Sequence, residues 1–157
     1  MYFSFKVHQK WLSEHTEFKN RIQITKNLID AGVNINANLD GTALHKAIDS
    51  INPKVANLLI NHPKINCGLL DRDGNSTLQR ALRTCYTDID VNTLISKTPE
   101  LNDCSKTLPP PLVMACALDE QAIVKTLLES KAHANIFFDR EDDFHHHLYL
   151  HFLTQKV

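Results

Sequence analysis

The histidines near the end of the chain are the first residues whose spacing suits chemistry. His147 and His151 stand four apart, which on a helix puts both rings on one face, and His145 and His146 adjoin them. Two imidazoles so placed suit a zinc or nickel site, with Asp142, Asp143 or a neighbouring segment supplying further ligands. There is no H-E-x-x-H, and therefore no metalloprotease signature. A polar cap helix rich in histidine accounts for the same pattern, so no metal and no other cofactor is assigned. A second constellation pairs a thiol, Cys85 or Cys116, with His45 as the base. Cys116 falls at an inward position, where a buried small hydrophobe explains it. The sequence holds no Gly-rich phosphate loop, no G-x-S-x-G and no dinucleotide fingerprint. The expectation is a chain that is not an enzyme and has no small-molecule substrate.

The elements that would carry these residues follow a repeat. Leu44, Leu78 and Leu112 stand thirty-four residues apart, and each is followed three residues later by alanine, at Ala47, Ala81 and Ala115. A period of this length means stacked supersecondary units rather than one closed core. In the clearest unit Thr42 can cap a helix that runs on through Leu44 to Ile48. A short break at 49–53 precedes a second apolar helix, Val55 to Ile60, with Leu58 and Leu59 as its core pair. His62-Pro63-Lys64-Ile65-Asn66 then leads to an extended tip. The same order returns as Ser76-Thr77-Leu78 then Val91 to Ile95, and as Pro111 to Ala117 then Ile123 to Leu128. Upstream, Leu28 to Asn36 reads as the second half of a first unit whose first helix lies within Phe5 to Leu12. Phe144, Leu148 and Phe152 recur every four residues after an acidic entry, as a closing cap helix would.

Composition narrows the class further. The chain has 157 residues, 43% of them apolar, and a net charge of −1, which gives no electrostatic case for nucleic acid or an anionic membrane. No apolar run approaches the roughly 20 residues of a membrane span, and the start lacks the pattern of a signal peptide. Four scattered cysteines without a C-x-x-C pair read as reduced thiols of a cytoplasmic protein. Only four glycines are present, so Asn, Asp, Pro or His must make some of the turns.

These residues resemble the ankyrin repeat, whose unit runs D-x-x-G-x-T-P-L-H-x-A-A and then V-x-x-L-L-x-x-G-A-D-V-N. Asp-Gly-Thr-Ala-Leu-His at 40–45, Leu-Ile-Asp-Ala-Gly-Val-Asn-Ile-Asn at 28–36 and Ile-Val-Lys-Thr-Leu-Leu-Glu-Ser-Lys-Ala-His-Ala-Asn at 123–135 carry the likeness. It covers roughly residues 5–138. Gln79 and Val113 stand where the motif has His, and Pro109-Pro110-Pro111 replaces its Gly-x-Thr-Pro turn. The resemblance implies an all-α solenoid of helix-turn-helix units with short β-hairpin tips. It forms a single domain with units at about 5–37, 38–70, 71–104 and 105–138, and a cap or partial repeat at 139–157.

The resemblance also implies roles. The motif His, here His45, bonds backbone of the neighbouring turn, and the tip asparagines Asn36, Asn66, Asn102 and Asn135 tie the hairpins down. Partners of such stacks are other proteins, held on the concave face. Carried onto this chain, the first-helix positions are Lys46, Asp49, Arg80, Arg83, Met114 and Leu118. The tip positions are Leu39, Asp40, Leu70, Arg72, Asp73, Phe137, Phe138 and Arg140. The longer break at 83–90 is a further place for specificity. The texture of the units is similar to that of ankyrin-repeat effectors of intracellular bacteria, which act in the host cytosol. Two other readings stay open: the targeting part of a larger enzyme whose catalytic part lies downstream, and a metal-binding His-rich module.

Overall fold

The computed structural model describes residues 20–84, 88–103, 105 and 107–134. The expected first helix within 5–12, the cap helix, Asn135, Phe137, Phe138, Arg140 and the histidines at 145–151 lie outside the described residues, as do Cys85 and Cys104. The chain divides into two compact parts, residues 1–35 and 36–157. In the first, α1 covers residues 20–30 and ends at Gly32, whose φ is 79°. Leu28 is 50% exposed on it.

The second part carries α2 (Ala43–Asp49), α3 (Pro53–Ile60), α4 (Thr77–Thr84), α5 (Val91–Lys97), α6 (Pro111–Ala117) and α7 (Gln121–Glu129). The fold is all-α: among the described residues no sheet forms, and one isolated antiparallel bridge joins Leu70 to Ser76. Helices pair within each unit, α2 with α3, α4 with α5 and α6 with α7. Between units α2 packs on α4, α4 on α6 and α5 on α7.

The thirty-four-residue period marks equivalent places in this core. Leu44, Leu78 and Leu112 are all fully buried, and so are Ala47, Ala81 and Ala115 to within a few per cent. Full burial of such a leucine contributes about 2 kcal/mol. The second helices need a correction. The buried pair of α3 is Leu59 and Ile60, while Leu58 is half-buried, and the matching pair of α5 is Leu94 and Ile95. The helix also starts earlier than expected, because Asn52 caps it through Val55 N–H at 3.2 Å and Pro53 fills its first turn.

Three joints without glycine take left-handed backbone: Ile51 (φ 56°), Asp119 (φ 56°) and Lys131 (φ 68°). The first two turn the chain between the helices of a unit. At the end of α3, where His62-Pro63 replaces the motif's Gly-Ala, the free Ile60 carbonyl accepts from the Lys97 ammonium at 2.6 Å. A cation from the next unit thus caps the negative end of the helix. Gly68 permits another close approach, since a Cβ there would lie 2.7 Å from Cγ of Pro99.

Asparagines fasten one unit to the next. Asn36 donates to the Lys64 carbonyl at 2.8 Å and accepts from Asn66 N–H at 2.9 Å. Asn102 accepts from His133 N–H at 2.8 Å. Asn57 does the same for the long break of unit three, donating to the Asp88 carbonyl (2.8 Å) and accepting from Asp90 N–H (2.9 Å). The Asn66 side chain instead closes its own turn, through Gly68 N–H at 2.9 Å.

Candidate binding surface

The heads of α2 and α4 are built alike from different residues. Thr42 and His45 form a capping box: Thr42 Oγ1 accepts from His45 N–H (3.4 Å), and His45 Nδ1 accepts from Thr42 N–H (3.2 Å). At α4, Ser76 Oγ accepts from Gln79 N–H (3.2 Å) and Gln79 Oε1 accepts from Ser76 N–H (2.9 Å). Each third residue then reaches thirty residues on. His45 Nε2 donates to the Asn75 carbonyl at 3.2 Å, and Gln79 Nε2 donates to the Pro109 carbonyl at 2.9 Å. Gln79 therefore makes at α4 the same two links that His45 makes at α2. Val113, the third in the series, heads a helix whose N-cap is Pro110 and which has no side-chain cap. Proline carries no N–H, so the N-cap backbone there asks nothing of the side chain at Val113.

Between these heads lies the turn of unit three. Asp71 Oδ1 accepts from Asp73 N–H and Asn75 N–H, both at 2.9 Å, while Asp71 N–H donates to the Asn75 carbonyl at 2.9 Å. Gly74 makes the reversal with φ 77°. Asn75 is buried at the centre. Its carbonyl takes His45 of unit two, and its side-chain oxygen takes the hydroxyls of Ser105 and, at 2.7 Å, Thr107 of unit four. This hub escaped the sequence reading; its only mark there is a position directly after the Asp-x-x-Gly turn.

Above the turn runs a chain of ion pairs. Lys46 meets Asp40 (3.8 Å), Asp40 meets Arg72 (3.1 Å), Arg72 meets Asp73 (3.9 Å) and Asp73 meets Arg80 (3.5 Å). Arg80 also binds Asp71 through Nε at 2.8 Å and through Nη2. Asp49 closes the chain against Arg80 and Arg83, each at 3.6 Å. Asp40, His45, Lys46, Asp49, Asp71, Arg72, Asp73 and Arg80 line a hollow of about 230 Å³. The structure thus brings together Lys46, Asp49, Arg72, Asp73, Arg80 and Arg83.

Two of the expected surface residues are placed differently. The Arg80 side chain is only 14% exposed and its partner carboxylate on Asp71 only 4%, so the pair is a staple rather than a free anchor. Burial opposes both charges, yet hydrogen bonds from Asn75 N–H and Arg80 hold Asp71 below its ordinary 3.8. Arg80 loses to burial as well, but Asp71, Asp49 and Asp73 hold its proton more firmly than usual. Met114 is buried at 7% exposure; an apolar side chain at this place turns into the core where Lys46, thirty-four residues twice before, stays in water. Leu118 and Leu39 are exposed. Cys116 is buried as expected of an inward thiol, and burial pushes its pKa up. Among the described residues no group of three or more His, Cys, Asp or Glu side chains is placed to hold a metal ion. No helix of the described residues is long and apolar enough to cross a membrane.

No protein-family model matches the chain. Comparison with curated proteins gives no match either.

Proposed function

We propose that this chain is a non-enzymatic ankyrin-type module that binds another protein through the face formed by α2, α4 and the preceding turns. The observation that carries the reading is the hollow across units two and three, where six of the side chains expected at the partner face stand together. Supporting it are the thirty-residue bonds from His45 and Gln79, which place the same link at the same point of two consecutive units. Stacked two-helix units make a rigid surface, and rigid surfaces bind without a large ordering cost. The outer side chains of the hollow, Arg72 above all at 72% exposure, are the groups a partner meets first. The texture of the units supports a protein of a host cell as that partner.

The test uses the full chain as bait in host-cell lysate. Arg80 is left intact because it braces Asp71. Charge reversal at the exposed Lys46 and Arg72 should abolish capture of a protein retained by the unaltered chain and by a Lys125→Ala control on α7. Equal capture by all three chains would refute the assignment of the face.

A further inference from the structure

The box at His45 contains a group that can take up a proton, and the box at Gln79 does not. His45 Nδ1 accepts from Thr42 N–H while Nε2 donates to the Asn75 carbonyl, so the ring fits only as the neutral tautomer with hydrogen on Nε2. Adding a proton to Nδ1 turns the acceptor into a donor that faces the Thr42 N–H. The Thr42 hydroxyl, 2.9 Å away, can take the new proton only as an acceptor, and the backbone donor of the cap is left unpaired.

The surroundings do not repay that loss. Burial opposes a charged ring most, and Arg80 on α4 adds to it, against the Asn75 carbonyl, Asp71 in the turn and Asp49 on the same helix, which favour the charge. Both carboxylates are already engaged, Asp71 by Arg80 and Asp49 by Arg80 and Arg83. Around them Lys46 and Arg72 balance Asp40 and Asp73, so the hollow has no spare negative charge. Gln79 supplies the natural control: the same two bonds from an amide that does not titrate.

We propose that the contact between units two and three is a proton-responsive joint, opened by protonation of His45 at mildly acidic pH, while the Gln79 joint to unit four stays closed. Burial holds His45 below its ordinary 6.5. The folded state then binds this proton less tightly than the unfolded chain, so stability present above pH 6.5 is lost as pH falls below it. The hollow is lined from both sides of the joint and comes apart with it. Release of a partner in acid rests on the function proposed above; the joint itself does not.

The experiment is denaturant unfolding of the full chain from pH 8 to 5, with the His45 imidazole followed by NMR. In the unaltered chain the folding constant should fall below pH 6.5 with a slope approaching about tenfold per pH unit, the limit for one proton. His45→Gln should remove that slope. Amide exchange should quicken in acid at Thr42 to His45 and stay slow at Ser76 to Gln79. The proposal is overturned if His45→Gln keeps the original slope, or if the imidazole titrates at or above 6.5. Should His45→Gln not fold, the imidazole titration of the unaltered chain decides alone.

Discussion

The heads of α4 and α6 occupy the same place in consecutive units and solve it in opposite ways. At α4 a serine and a glutamine share two hydrogen bonds, and the glutamine goes on to hold the next unit. At α6 a proline removes the donor and a valine needs no partner. A side chain three places on must accept only where the N-cap itself carries an N–H, which Ser76 does and Pro110 does not. The α4 head is also tied backward, since the turn before it holds Asp71 for Arg80 and Asn75 for His45. The α6 head has no such staple among the described residues.

The comparison predicts unequal responses. Arg80→Ala has the largest expected effect, about 3 kcal/mol by chemical denaturation, because it strands the nearly buried Asp71 carboxylate. The same pair sets an acid limit. Asp71 is held below 3.8, so its contribution is present above that value and lost as pH falls beneath it, and Arg80→Ala should flatten this part of the curve. Next, Gln79→Ala should cost about 2 kcal/mol by leaving the Ser76 N–H and the Pro109 carbonyl unpaired. Gln79→His should recover most of it. At α6 Val113→Gln alone should bring no gain, whereas on a Pro110→Ser background it should restore about 1 kcal/mol by completing a box like that of α4. A gain from Val113→Gln without Pro110→Ser would break the comparison. The smallest expected change is a stabilisation of about 1 kcal/mol or less in Ile51→Asn, visible as a raised melting temperature. There a β-branched residue sits at φ 56°, where asparagine is tolerated.

The buried face was legible because burial selects residue type. Only small and branched apolar residues fit at Leu44, Leu78, Leu112 and their alanines, so their spacing exposes the period. The turn chemistry was partly legible: Thr42 and Ser76 announce caps, and of the three left-handed joints without glycine Asp119 is of an expected residue type while Ile51 and Lys131 are not. The surface was the least legible. Lys46, Arg80 and Met114 share one repeat position, yet the first is exposed, the second stapled and the third buried.

What the sequence determined by itself is the helical class, the inward leucine and alanine columns and the Thr42 and Ser76 caps, because each follows from a residue's own side chain and its near neighbours. What only the tertiary structure decided is which polar groups are spoken for. Arg80 became a brace, Gln79 a bridge and Asn75 a hub because their partners come from other turns and other units. Hydrogen bonding and desolvation depend on distance in space, which the order of residues along the chain does not state.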